Sequence, residues 1–196
     1  MAGTGTAGAS MQPDTGKVVV QAAMSLDGFI AGPGDAMDWV FDYSGPDEFP
    51  DIVQATGAML SGRNSYEVGR RDVGKPSGEA YGGAWHGPAF VLTHSPPADP
   101  DVTFLSGDIE AAVQTARAAA GGKDLVIVGA DVAGQCLERG LVDEILVMVL
   151  PVLLGAGTHF YTSAAARRVE LEPLSSSRSG SVTVLRFRVR EGAAGD

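Results

Sequence analysis

The sequence predicts one α/β domain whose sheet is largely parallel and finishes with antiparallel strand at the C-terminal end. Three observations predict it. Short apolar runs alternate with helical stretches along most of the chain, the pattern of strands joined by crossover helices. Glycines stand where two of these runs turn into helical stretches, at Gly62 and Gly129. A late segment, residues 182–189, alternates with period two: Thr183, Leu185, Phe187 and Val189 against Val182, Val184, Arg186 and Arg188. That alternation marks a half-exposed strand.

Taken in order, residues 17–23 (KVVVQAA) form the first apolar strand. Residues 25–38 (SLDGFIAGPGDAMD) read as a loop punctuated by glycine and proline, with a short apolar piece at 29–31. Residues 46–57 (PDEFPDIVQATG) suit a helix with Pro46 near its first turn, acids early and Gly57 as its stop. Residues 58–61 are a strand that runs into a helix start at 62–65 (GRNS). Residues 70–88 are Gly-rich and polar, an irregular excursion, and 89–93 (AFVLT) is again strand-like.

Residues 109–120 form an Ala-rich helix, capped by Ser106 or Asp108 and ended by Gly121 and Gly122. The run LVIV at 125–128 is a buried strand. A helix over 132–139 follows, with Asp131 as its N-cap and Gly140 as its stop, and then a strand at 144–150. No internal repeat or inter-domain linker interrupts the order. Residues 1–16 and 191–196 are small, polar and without periodicity, so they read as loose tails around a folded domain at 17–190.

The formal net charge is −10, which argues against general affinity for nucleic acid or for an anionic membrane surface. It leaves room for an anionic cofactor held by a few local cations and backbone N–H groups. Cys136 is the single cysteine, so no intramolecular disulfide is possible, and the three histidines are too scattered for a metal site. The apolar run 145–154 is too short for a membrane helix and contains Pro151. The N-terminal residues have neither the basic start nor the apolar stretch of a signal peptide. These features fit a cytoplasmic protein.

Three junctions carry candidate chemistry. At Gly62-Arg63-Asn64-Ser65 a glycine permits close backbone approach, free N–H groups favour an anion, and Arg63 adds a guanidinium with fork geometry for phosphate. A helix start capped by Asn64 or Ser65, with Arg63 solvated, is the competing reading. Thr93-His94-Ser95 sets a hydroxyl and an imidazole at a strand end, fit for a ribose phosphate or for a surface turn. Gly129-Ala130-Asp131-Val132 is a Gly-containing turn ahead of a helix N-terminus, although Gly129 could serve packing alone. No G-x-G-x-x-G, Walker A or G-x-S-x-G pattern is present, and no nucleophile–base pair stands out. Hydride transfer requires neither, because the cofactor carries the chemistry.

In this order, the segments MSLDGFIAGPGDAMDW, MLSGRNSYE, VLTHSP and GADVAGQCLERGLVDEILVMVLPVLLGAGTHF resemble the dihydrofolate reductase superfamily. They are most similar to its stand-alone bacterial branch, related to the reductase (RibD C-terminal) domain of riboflavin-biosynthesis deaminase–reductases. The ordered set, above all LVDEI followed by PVLLGAGTHF, is the specific part. The resemblance implies a dihydrofolate-reductase-like three-layer α/β/α fold with a mostly parallel mixed sheet, and an NADPH-dependent reductase of a pteridine- or pyrimidine-like substrate. It leaves open the 5-amino-6-(5-phosphoribosylamino)uracil reductase of riboflavin biosynthesis, a true dihydrofolate reductase, and a non-catalytic NADP-binding protein.

Residue by residue, it assigns the cofactor phosphates and adenosine to Gly62, Arg63, Asn64, Ser65, Leu92, Thr93, His94, Gly129, Ala130, Asp131 and Val132. It sets Ala23, Ile30 and Ala31 beside the nicotinamide. Asp27 and Asp47 become candidate acids and Trp39 a substrate contact. The sequence departs from the family in carrying Val128 where a first glycine is usual before Gly129, and in lacking the D-N-P segment and E-G-G turn that bind ribityl phosphate. Relatives of the riboflavin type pair through their sheets, and the 145–154 run is richer in apolar residues than one buried edge needs, so a homodimer is expected.

Overall fold

The computed structural model describes residues 16–43, 49–99, 102–162 and 168–190. Ten strands and four α-helices follow one another as β1 (Val18–Ser25), β2 (Phe29–Ala31), α1 (Pro50–Ala55), β3 (Thr56–Gly62), α2 (Arg63–Arg71), β4 (Ala89–Leu92), β5 (Thr103–Leu105), α3 (Ile109–Ala119), β6 (Asp124–Val128), α4 (Ala130–Glu138), β7 (Glu144–Leu150), β8 (Thr158–His159), β9 (Leu171–Ser179) and β10 (Val182–Val189). Eight strands form one sheet in the order β5-β4-β3-β6-β1-β7-β10-β9, and β2 pairs with β8 separately. From β5 to β7 every pairing is parallel; β10 and β9 join antiparallel.

Each face of the sheet has its own core. Val18, Val20, Leu60, Leu125, Ile127, Ile145 and Val147 pack with Ile109, Val113 and Ala116 of α3 and with Val132, Cys136 and Leu137 of α4. Met148 and Leu150 belong instead to a second cluster with Val40, Val182, Met37, Phe41 and Phe49. Successive residues of β7 thus serve opposite faces, as the two-residue period of a strand requires. The sheet lies between α3 and α4 on one side and α1 with the 37–43 turn on the other. The run at 145–150 is apolar because β7 lies between β1 and β10 and is covered on both faces. Leu60, Leu125 and Ile127 are fully enclosed; truncating such a side chain to alanine typically costs about 2–5 kcal/mol.

Three local expectations change. The first helix starts at Pro50 and ends at Ala55, and Pro46 lies outside the described residues. Gly57 is inside β3 rather than at a helix end, and it is glycine there because a Cβ would meet the Ala120 carbonyl oxygen at 2.2 Å. The helix stops instead at Thr56, whose Oγ1 donates to the Ile52 carbonyl over 2.9 Å. Asp131 is not the N-cap of α4: Gly129 holds that position at φ 90°, and Asp131 sits in the first turn, accepting from Gln135 Nε2 at 3.0 Å. Asp108 does cap α3, accepting from the amides of Glu110 and Ala111.

Two strands of the eight-stranded sheet have no sequence signature. β9 (LEPLSSSRS) is serine-rich and contains Pro173, which a strand tolerates at a sheet edge where its missing N–H goes unused. β5 is three residues long at the opposite edge. At the start of β7, buried Glu144 is held by Lys17 and Arg186. Burial pushes its carboxyl up, yet the hydrogen bonds and charges of these two cations bring it below its ordinary value.

Candidate functional site

Parallel strands end in loops at their C-terminal edge, and the cleft opens there. β3 passes directly into α2 through Gly62, and β6 into α4 through Gly129. Neither helix has a side-chain cap, so its first backbone N–H groups are left for water or a ligand. The two starts lie against each other. A Cβ on Gly129 would fall 2.7 Å from Ser65 Oγ, and one on Gly62 would fall 3.1 Å from Val132 Cγ2. Adjacent amide clusters at two helix N-termini concentrate positive potential in an otherwise acidic protein.

Arg63 opens α2. Its Nε donates to Glu67 Oε1 at 2.7 Å and its Nη1 donates to the Ser95 carbonyl. It therefore ties the helix to the turn after β4, where Thr93 Oγ1 accepts from the Ser95 amide at 3.2 Å. The Arg63 side chain is 42% exposed. On the next turn of α2, Tyr66 donates to Asp99 Oδ2 at 2.9 Å, and Arg70 lies 3.4 Å from the same oxygen. Burial first, and then the hydrogen bond to Asp99 and its charge, push the Tyr66 phenol above its ordinary value.

These groups line one continuous cleft of about 1210 Å³. Sites for one small ligand usually occupy about 300–1,000 Å³, so the cleft has room for two molecules side by side. The structure gathers Gly62, Arg63, Asn64, Ser65, Leu92, Thr93, His94, Gly129, Ala130, Asp131 and Val132 along one end, with Val128 beside them. Ala23, Ile30 and Ala31 line the middle. Beyond them the walls are Met37, Val40, Phe41, Phe49, Val53, Met148 and Leu150.

Two of the residues proposed for chemistry stand elsewhere. Asp27 is not a wall of the cleft. One of its oxygens accepts from Ser25 Oγ at 2.6 Å and from the Leu154 amide at 3.1 Å, and the other from the Gly155 amide at 2.7 Å. The Ser25 hydroxyl above all, with these amides, holds its carboxyl down to about 2 against the pull of desolvation. Asp27 fastens the β1–β2 turn to the 153–157 loop, which leads into β8 and the cleft residue Thr158. Trp39 is not a wall of the cleft either: its indole N–H donates to the Ala36 carbonyl at 3.1 Å and it packs in the second core cluster. Its neighbours Met37, Val40 and Phe41 take the wall positions. Asp47 lies outside the described residues.

The sequence reading missed a polar pair on the cleft floor. Gln21 and Tyr81 both line the cleft, and Tyr81 Oη lies 2.7 Å from Gln21 Oε1 and 2.8 Å from Thr56 Oγ1. Burial pushes the Tyr81 phenol up from its ordinary value. The available signal was Gln21 itself, a single polar residue in KVVVQAA. Tyr81, with φ at 51° in the 70–88 excursion, gave none. Cys136 is enclosed between α4 and the sheet, and burial pushes its thiol up to about 12, so it is no nucleophile.

A mixed sheet with two uncapped helix starts facing a dinucleotide-sized cleft defines an α/β domain of the dihydrofolate-reductase-like class. Within that class, the chain belongs to the RibD C-terminal domain family, whose profile matches residues 16–185. It is 28% identical to the protein YwjB of Bacillus subtilis over 145 residues, covering 72% of this chain and 80% of YwjB. In three dimensions it is similar to a riboflavin biosynthesis protein of Shewanella sp. PV-4 (TM-score 0.72, 22% identity, 89% of this chain and 99% of that one). It also resembles the deaminase/5-amino-6-(5-phosphoribosylamino)uracil reductase of Thermotoga maritima (TM-score 0.61, 16% identity, 90% of this chain and 57% of that one). A dihydrofolate reductase of Enterococcus faecalis complexed with NADP(H) shares the fold (TM-score 0.55, 16% identity, 90% of this chain and 98% of that one). Among the described residues, no helix is long and apolar enough to cross a membrane.

Proposed function

We propose that this protein is an NADPH-dependent reductase acting on a C=N or C=C bond of a small pteridine- or pyrimidine-like heterocycle. The observation that carries the reading is the convergence of the α2 and α4 N-termini, with Arg63 and the Thr93-His94 turn, at one end of a cleft large enough for two molecules. These groups fit a dinucleotide. The uncapped amides suit the pyrophosphate, and Arg63 and His94 suit a 2′-phosphate.

A bound NADPH supplies a hydride to the substrate. The chain supplies orientation and a dry surface: Ala23, Ile30 and Ala31 fill the middle of the cleft, where the ring that donates the hydride would meet the substrate. Asp27 acts at one remove, by holding the loop that carries Thr158. The family membership and the reductases that share the fold support the same reading. The lone, buried cysteine suits a reducing cytoplasm.

The test is a fluorescence titration of the purified chain with NADPH and NADH, followed by NADPH consumption against a panel of oxidised pteridines and pyrimidines. Saturable NADPH binding with turnover on one of them is expected. Binding without turnover on the whole panel would favour a cofactor-binding protein without catalysis, and no binding would end the reading.

A further inference from the structure

Residues 72–88, between α2 and β4, line the cleft yet take no part in either core. None of them is buried, and none packs in the two apolar clusters. The amides of Lys75, Gly78, Glu79, Gly82 and Ala84 donate to carbonyls within the same segment. Its first part is fixed to the end of α2. Asp72 accepts from Lys75 Nζ and Ser77 Oγ, each at 3.0 Å, and a Cβ on Gly78 would meet the Asp72 carbonyl oxygen at 2.2 Å. This part reaches across the cleft: Arg71 Nη1 donates to the Gly34 carbonyl at 3.3 Å, and the Pro76–Gly78 turn approaches the Asp38–Asp42 turn.

The second part, residues 79–87, is held differently. Glu79, Ala80, Tyr81 and Gly82 line the cleft. Among the described residues, two of its side chains tie it to the sheet, and both reach Thr56 at the start of β3. Tyr81 Oη lies 2.8 Å from Thr56 Oγ1, and Trp85 Nε1 donates to the Thr56 carbonyl at 3.1 Å. Tyr81 also donates to Gln21 Oε1 on the floor at 2.7 Å. It does so at φ 51°, a conformation that a bulky residue rarely adopts, with Gly82 and Gly83 at φ 65° and 93° after it. Strain of this kind persists where surrounding bonds hold it. A segment without a buried apolar side chain, fastened by a few polar bonds, opens more readily than the sheet beneath it.

We propose that residues 79–87 are a lid over the end of the cleft proposed for the heterocycle, latched by Tyr81 and Trp85 on Thr56, and that a molecule reaches the floor there when the latch releases. The inference rests on the reductase reading above for what enters, and adds to it how entry is controlled. Such gating keeps bulk water from the reacting atoms between turnovers.

The test needs no substrate. Met148→Cys puts a thiol in β7 at that end of the cleft, and Asn64→Cys puts one in the first turn of α2 at the other. The native Cys136 adds no fast background, because it is enclosed and its thiol is pushed up to about 12. Each variant is labelled with N-ethylmaleimide, alone and combined with Tyr81→Phe. Tyr81→Phe is expected to speed labelling of Met148→Cys about tenfold, as the loss of one hydrogen bond allows, and to leave that of Asn64→Cys unchanged. Trp85→Phe should act in the same direction at the same site, which keeps the test open if Tyr81→Phe does not fold. Hydrogen exchange should show faster amides at 79–87 in either variant, with β3 and β6 unchanged. An unchanged labelling rate at position 148, or equal acceleration at both positions, would overturn the lid. None of these readouts involves NADPH, so a protein that binds no cofactor but labels as expected loses the reductase reading and keeps the lid.

Discussion

Ser65 Oγ lies 2.7 Å from the point that a Cβ on Gly129 would occupy, so the first turn of α2 rests on the bare backbone ahead of α4. Two crossovers that are distant in sequence meet at this spot. The glycine is required twice, once for its φ of 90° and once for the closeness of the hydroxyl.

Gly129→Ala should therefore destabilise the fold. Holding a non-glycine residue in such a conformation costs about 1–3 kcal/mol, and Ser65 must also move. NADPH affinity should fall together with the unfolding midpoint in urea. Gly129→Ala combined with Ser65→Gly should recover only the part due to crowding. A single variant with unchanged stability would show that the loop adapts freely.

Arg63→Ala should weaken NADPH about 10- to 100-fold, from the loss of roughly 1.5–3 kcal/mol of charge-assisted hydrogen bonding. NADH should be affected less. The side chain is 42% exposed, its ion pair is with the neighbouring Glu67 on the same helix, and its other bond is to the surface carbonyl of Ser95, so stability should change little. Arg63→Lys should rescue little, since an ammonium cannot both hold the Ser95 carbonyl and present a fork to phosphate. Equal loss for NADH and NADPH in a titration would move the 2′-phosphate elsewhere.

Asp27→Asn tests a structural carboxylate. Its folded-state pKa, about 2, is depressed below the ordinary 3.8 by the Ser25 hydroxyl first and the Gly155 and Leu154 amides after it. A depressed pKa contributes stability that is fully present above the unfolded value and is lost as pH falls through the folded one. The variant should melt below the wild type at pH 7, and the difference should begin to shrink below about pH 4 as the native carboxylate starts to lose its advantage. Reduction should suffer through a displaced 153–157 loop, with KM rising more than kcat falls. A variant that keeps its stability but loses kcat alone would return Asp27 to the role of acid.

Much of this was legible from sequence. β7 and β10 match their predicted bounds because strong apolar or alternating patterns leave little choice. The end of the cleft proposed for the nucleotide was legible because glycine at a strand-to-helix junction is a backbone signal that survives in one sequence. The end proposed for the substrate was not. Its walls come from the 37–43 turn, Phe49 and alternate residues of β7, whose apolar character looks the same whether it faces core or cleft. Trp39 and Met37 illustrate the difficulty, since only the turn geometry decides which of the two reaches the cavity. β9 escaped notice because an exposed edge strand can be serine-rich and contain proline.

The homodimer we propose is argued from that edge. Of the 145–154 run, residues 145–150 are covered within the chain as β7, while Leu153 is 68% exposed. β9 instead leaves one side of the sheet unpaired and shows Leu171 and Leu174 to solvent, each 37% exposed. We expect light scattering at micromolar concentration to give twice the chain mass, and Leu171→Lys with Leu174→Lys to give the monomer. A monomeric wild type would remove the dimer from the description.

The last prediction concerns Tyr81 and Gln21. Gln21 is 5% exposed, on the floor of the cleft, and its carboxamide is within hydrogen-bond distance of one described side chain group, Tyr81 Oη at 2.7 Å. Thr56 Oγ1 lies 2.8 Å from the same phenol on its other side. The chain of three therefore sets the amide's orientation, and with it the face a substrate edge would meet. Tyr81→Phe removes one hydroxyl and leaves a buried amide with one partner fewer, which costs about 1–3 kcal/mol. Gln21→Leu removes the amide and strands the phenol at a comparable cost. Because the two residues share one interaction, the double variant should lose less than the sum, with a coupling of about 0.5–3 kcal/mol. Urea unfolding of the four proteins measures that coupling. NADPH affinity should be unchanged throughout, since the pair lies away from the α2 and α4 N-termini, while KM for the reduced heterocycle should rise in every variant. Additive stability losses would mean the hydrogen bond has no net worth, and an unaltered KM would mean the substrate does not touch Gln21.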